Sequence, residues 1–210
     1  MQTGVVIVAL GDSTTAGTPL YLSPLEAPPD GRGDERSQYA YWLRQRHPGW
    51  RVLNRGVNGE RSDQIAVRFD RDVIGEQPAA VIVIAGVNDI YQGRAATLVM
   101  AELAGIYRRA AAARIPVVAG SIVPYNTATP AQNAAMHAVN AWIAGEATGQ
   151  EHVAFADTRR AAAAADDPDR LAGSPDGLHP DVEGYRRMAD AIDPVLVAVL
   201  ARSYRTPLQP

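Results

Sequence analysis

Short apolar runs alternate along this chain with longer stretches of helical spacing. Residues 5–10, 51–53, 80–85, 117–122 and 153–155 are β-branched or otherwise apolar and are bounded by Gly, Pro or Asn, which predicts a strand at each. Between them, residues 38–46, 62–74, 95–114 and 131–147 place apolar side chains at helical intervals, and a last helix is expected over about 181–202, with Pro194 as the point where it would kink. Strands apolar on both faces that alternate with helices imply a parallel sheet covered on both sides. The expectation is a three-layer α/β sandwich of about five parallel strands, forming one domain over residues 1–210.

Such sheets place ligands beyond the carboxyl ends of their strands. Three polar, glycine-bearing turns fall there: Gly11-Asp12-Ser13 after the first strand, Asn54-Arg55-Gly56-Val57-Asn58-Gly59 after the second, and Gly86-Val87-Asn88-Asp89 after the third. Residues 18–36 are rich in Pro and Gly and too long for a simple connection, so they are expected to border the site. The alanine run 161–165 and the acidic run 166–169 read as a loop or short helix with solvated charge, and the tail from Arg205 as loose.

Composition narrows the chemistry. A hydrophobic content of 47%, a charged content of 20% and a net charge of -3 describe an ordinary globular chain without a basic footprint, so no nucleic-acid partner is expected. There is no cysteine, which removes thiol nucleophiles and thiolate metal sites. There is no lysine either, all 20 basic residues being arginine, which removes Schiff-base chemistry and a Ser-Lys dyad. Serine, threonine and carboxylates remain as covalent nucleophiles. The opening apolar run is too short for a membrane span and lacks a basic leader, so no span and a cytoplasmic location by default are expected, secretion staying open.

A serine hydroxyl needs a base, and the base needs a carboxylate to fix its tautomer. Of the four histidines, only His179 has an aspartate, Asp176, three residues before it in a turn; a helix-capping role for that aspartate competes with the catalytic one. Ser13 would be the nucleophile, His179 the base and Asp176 its orienter. The oxyanion donors would be the N–H of Ser13, the N–H of Gly59 and the side-chain amide of Asn88. Asp12 and Asp89 read as supporting residues that fix turns, Thr15 as a turn or cap residue, and His47, His137 and His152 as structural. Tyr21, Arg32, Arg36, Tyr39, Tyr91 and Tyr125 are candidates for substrate binding, able to stack on or hydrogen-bond a sugar, although each also reads as half-exposed packing.

Four blocks, Gly11-Asp12-Ser13, Gly56-Val57-Asn58-Gly59, Gly86-Val87-Asn88-Asp89 and Asp176-Gly177-Leu178-His179, resemble those of the SGNH hydrolases, also called GDSL esterases, in order and spacing over nearly the whole chain. Thr14 departs from the leucine of the family name. The resemblance implies a flavodoxin-like sheet, ester hydrolysis through Ser13, Asp176 and His179, an oxyanion hole of Ser13, Gly59 and Asn88, and neither metal nor organic cofactor. With only two phenylalanines and no apolar lid, short acyl groups, acetyl above all, on a carbohydrate or other small alcohol are expected. Thioesters or lysophospholipids attacked by the same triad are the alternative. A metal-dependent phosphoesterase built on Asp12, Asn88, Asp89 and His179, and a binding module without activity, are more distant ones.

Overall fold

The computed structural model describes residues 4–203; the expectation for the tail from Arg205 lies outside them. The central sheet has five parallel strands, β1 (Val5–Gly11), β4 (Trp50–Gly56), β5 (Ala80–Ile84), β6 (Val117–Gly120) and β7 (Val153–Ala156), in the order β4-β1-β5-β6-β7. Two further strands, β2 (Tyr21–Leu22) and β3 (Arg32–Gly33), pair as a separate antiparallel hairpin. Counting the five parallel strands along the chain, their spatial order is 2-1-3-4-5, the flavodoxin-like order whose switch point lies between the first and third. β1 and β5 flank that point, and they are the strands that lead into Ser13 and Asn88.

Side-chain alternation builds a core on each face of the sheet. Val8 and Leu10 of β1 with Val81 and Val83 of β5 pack against α3 (Ser62–Val67), α4 (Phe69–Asp72), α6 (Ala96–Ala112) and α7 (Pro130–Gly149), through Ile65, Phe69, Leu103, Ile106, Val139 and Ile143. Ile7, Ala9, Ile82 and Ile84 face the other way, onto α2 (Tyr39–Arg46) and α9 (Val182–Ser203), where they meet Leu43, Met188, Ile192 and Leu196. On α6 the buried residues Val99, Leu103, Ile106, Tyr107 and Ala110 follow helical spacing. α7 is capped by Thr129, whose hydroxyl accepts the Gln132 N–H while the Gln132 side chain accepts the Thr129 N–H, a reciprocal cap.

The structure departs from the sequence expectations in three places. β4 runs on to Gly56 because Asn54 and Arg55, although polar, continue the parallel ladder opposite Ala9 and Leu10. Residues 62–74 are not one helix: the backbone leaves helical geometry at Arg68 (φ -91°, ψ 3°), between α3 and α4, where the arginine turns inward. A short helix, α5 (Val87–Tyr91), follows β5 where only a turn was expected, and another, α8 (Thr158–Ala162), follows β7. The last helix, α9, runs through Pro194 as one element, as expected.

Candidate active site

The chain leaves β1 at Gly11 and enters a single helical turn, α1 (Ser13–Ala16), capped by Asp12, whose Oδ1 accepts the Thr14 N–H at 2.9 Å. A side chain at position 11 could not fit: its Cβ would lie 2.3 Å from the Ile84 carbonyl oxygen and 2.2 Å from Thr15 Oγ1. Ser13 is thereby set at the sheet edge, almost fully buried, as the first residue of its helix, where a backbone N–H has no intrahelical acceptor.

From 166 residues away in sequence, His179 brings Nε2 to 2.9 Å from Ser13 Oγ. Its Nδ1 lies 2.7 Å from Asp176 Oδ2. The Asp176 carboxylate also accepts the N–H groups of Leu178 and His179 through Oδ1, both at 2.9 Å, so the same side chain shapes the turn and grips the imidazole. Partial burial opposes the charge on Asp176, but the imidazole and these two N–H groups outweigh it and hold the carboxyl below its usual range. The turn itself is tied down twice. Ser174 Oγ donates to the His179 carbonyl at 2.6 Å and accepts the Gly177 N–H at 2.8 Å. The Gly177 carbonyl accepts the Asn126 N–H at 2.8 Å.

Asn88, in the first turn of α5, donates from Nδ2 to the Glu60 carbonyl at 2.9 Å, which fixes the amide plane and leaves its second N–H for another acceptor. Gly59 lies in the preceding loop with φ +78°, and a Cβ there would meet nothing within 4 Å. The left-handed backbone, not crowding within the protein, is therefore what favours glycine at this position. Glu26, from the arm formed by residues 18–36, accepts the Asn58 N–H at 2.9 Å and the Ser23 N–H at 2.9 Å, so the arm buttresses the loop that carries Gly59.

A cavity of about 140 Å³ opens beside Ser13. Ser13, Asn58, Asn88 and His179 supply its polar side, and Val87, Tyr91, Tyr125 and Leu178 its apolar side. A larger open cleft of about 1260 Å³, lined by Arg160, Ala164 and Arg187 among others, contains none of these groups. Chemistry and not size therefore marks the smaller cavity as the candidate site.

The remaining sequence candidates divide. Tyr91 and Tyr125 line the cavity. Tyr21 and Tyr39 do not: Tyr39 is wholly buried with its hydroxyl 3.0 Å from Thr15 Oγ1, and Tyr21 is core with its hydroxyl on the Asp30 carbonyl at 2.7 Å. Arg32 and Arg36 are exposed away from the cavity, and Arg36 is paired with Asp34 at 2.8 Å. Asp89 is buried and spent on Ser62, through its N–H at 2.7 Å and hydroxyl at 2.9 Å, and on Arg94 at 2.6 Å. This carboxylate anchors α3 to α5. His47 stacks on Trp50 and meets Asp193, His137 meets Asp169, and His152 meets the Tyr107 carbonyl, all outside the site.

Sequence reasoning missed Arg68. Only 7% exposed, its guanidinium donates to the carbonyls of Gly11 and Arg55, each at 2.7 Å, and to Glu60 at 2.6 Å and Asp72 at 2.7 Å. It thus ties the strand end before Ser13 to the loop before Asn88's partner, Glu60. A polar residue in a helical pattern reads as solvated, so spacing offered no signal for it.

Among curated proteins, no sequence matches the chain. Solved structures do. A member of the lipolytic protein G-D-S-L family from Veillonella parvula DSM 2008 is similar at 20% identity and TM-score 0.73, covering 92% of this chain and 98% of that one. A GDSL-like lipase from Bacteroides thetaiotaomicron VPI-5482 is similar at 21% identity and TM-score 0.70, covering 96% and 89%. A catalytic mutant of an acetylxylan esterase from Geobacillus stearothermophilus is similar at 19% identity and TM-score 0.69, covering 95% and 96%. These likenesses establish the shared three-layer fold. The sequence model of the GDSL-like lipase/acylhydrolase family matches residues 9–187, from the end of β1 into α9 and across every turn described above. The chain belongs to that family of hydrolases.

Proposed function

We propose that this protein is a serine esterase that removes short acyl groups, acetyl above all, from a carbohydrate or other small alcohol. The observation that carries the reading is the unbroken relay from Asp176 Oδ2 to His179 Nδ1 at 2.7 Å and from His179 Nε2 to Ser13 Oγ at 2.9 Å. His179 takes the Ser13 proton as Oγ attacks the ester carbonyl carbon. The resulting oxyanion is met by the N–H groups of Ser13 and Gly59 and by the free N–H of the Asn88 amide. Collapse breaks the C–O bond to the alcohol, which leaves with the proton held on His179. Water, deprotonated by His179, then attacks the acyl-serine and restores Ser13. Asp176 stays ionised throughout, orienting the imidazole and offsetting its transient charge.

The size of the cavity supports a short acyl group. At about 140 Å³ it is smaller than the roughly 300–1,000 Å³ of pockets that hold drug-sized ligands. The acetylxylan esterase among the fold relatives accords with this. The metal-dependent alternative finds less support, because Asp89 is committed to Ser62 and Arg94 and is not gathered with His179.

The test is hydrolysis of p-nitrophenyl esters from acetyl to palmitoyl by wild type and Ser13→Ala, with and without EDTA. Turnover should peak at acetyl, ignore EDTA, and fall on the order of 10⁴–10⁶-fold in the variant. Activity that survives Ser13→Ala would end the proposal, and loss on chelation would revive the metal-dependent reading.

A further inference from the structure

Buried hydroxyls are rarely left without a partner. Most buried tyrosines here obey: Tyr21 donates to Asp30, Tyr39 meets Thr15, and Tyr185 donates to Thr18. Three hydroxyls, those of Thr18, Tyr107 and Tyr125, are sealed from solvent with no hydrogen-bond partner among the described residues, and two of them are phenols. Tyr107 packs in the core, stacked on Trp142, and does not line the catalytic cavity. Tyr125 does line it, together with Ser13, Asn88 and His179.

Its placement is rigid on one side and yielding on the other. Residue 126, next in the chain, binds the catalytic turn: its N–H donates to the Gly177 carbonyl at 2.8 Å and its Oδ1 accepts the Leu171 N–H at 2.9 Å. Tyr125 is therefore held relative to His179. Among the described residues its one ring partner is Tyr91, which also lines the cavity, edge-on at 5.7 Å between centroids and 55% exposed. Phenylalanine would fill the same wall without burying an unmatched polar atom.

We propose that the exposed Tyr91 ring moves aside as substrate enters and that the Tyr125 hydroxyl, so uncovered, is a specificity-determining hydrogen-bond donor, satisfied by a substrate oxygen carried close to the scissile carbonyl, so that the site selects oxygen-bearing esters over alkyl esters of the same shape. The inference rests on the esterase reading above and names its substrate class. Burial, with Tyr91 adding to it, pushes the Tyr125 phenol up from its ordinary value, so the hydroxyl keeps its proton and donates. The oxygen can belong to the acyl group or to the alcohol, as in an acetylated sugar; the hydrogen-bonding chemistry is the same.

The test compares wild type with Tyr125→Phe on two pairs of esters that differ by one oxygen for one methylene. The acyl pair is p-nitrophenyl methoxyacetate against p-nitrophenyl butyrate. The alcohol pair is oxan-4-yl acetate against cyclohexyl acetate, followed by acid release. Within each pair the kcat/KM ratio is read in both proteins, so intrinsic reactivity cancels. One ratio should fall about tenfold or more in the variant, and which one falls identifies the source of the oxygen. The variant should melt no lower than wild type, since the lost oxygen had no partner in the protein. Both ratios within about twofold of wild type, or a drop in melting temperature, would overturn the inference while leaving the esterase reading intact. No turnover of any of the four esters by wild type would sink both.

Discussion

Replacing Asp12 by Asn probes the buried carboxyl next to Ser13. Asp12 is fully buried; Oδ1 caps the Thr14 N–H, and Oδ2 has no hydrogen-bond partner among the described residues. Burial is the main reason its carboxyl is pushed up to about 7, with the Asp89 carboxylate raising it further and Thr14 and Arg68 pulling it down. The phenols of Tyr39 and Tyr185 also face it, and stay neutral. Because the folded value lies above the unfolded one, the native state binds the extra proton. The stabilisation is therefore full below the unfolded value near 4 and is lost as pH rises toward and through about 7. Asparagine keeps the cap but carries no charge. Between pH 5 and pH 8.5 about two units of that shift remain to be lost, at 1.36 kcal/mol each. The stability of Asp12→Asn relative to wild type should thus grow by about 2–3 kcal/mol across the span. Urea unfolding of both proteins at both pH values measures this, and other titrating groups cancel in the difference. A difference that stays constant, or shrinks at alkaline pH, would refute the account of a carboxyl burdened by burial.

Two further outcomes follow from the same geometry. Arg68→Met should cost about 1–3 kcal/mol, because it strips the guanidinium from the Gly11 and Arg55 carbonyls and leaves the buried Asp72 to Arg71 alone, and thermal unfolding reads the loss directly. Asp176→Asn should lower kcat on the order of 10⁴-fold while KM changes little, since the imidazole loses its tautomer and not its substrate; steady-state kinetics on p-nitrophenyl acetate separates the two.

The legible parts of this molecule were those where one physical demand dominates. β5 is buried along its whole length, so an unbroken apolar run announced it, and the sheet followed. Ser13, Asp176 and His179 could be paired because the chain offers so few histidines with a nearby aspartate. What stayed hidden depended on side-chain direction. Tyr21 and Tyr39 carry the same phenol as Tyr91 and Tyr125, yet the first pair spends its hydroxyls inside the protein, and nothing in the sequence distinguishes them. α5 spans little more than one turn, too short for a period to emerge. Arg68 interrupts a helical pattern without any breaker residue, its guanidinium turning in to meet carbonyls that only the folded chain brings together.

The groups proposed for catalysis sit on loops and on the short helices those loops lead into, and such segments alone would not hold them in place. Each loop is anchored by a residue from another segment: Gly11 by Arg68, Asn58 by Glu26, Gly177 by the backbone of Asn126, and Asn88 by the Glu60 carbonyl, whose own side chain grips Arg68. The anchors converge from the arm, from the break between α3 and α4, and from the segment after β6. Precision at the site is thus a property of the packed sheet edge and not of any one turn. Since small misplacements of reacting groups can cost large factors in rate, these anchoring residues, which do not line the cavity, are where activity should be most easily lost without altering Ser13, Asp176 or His179.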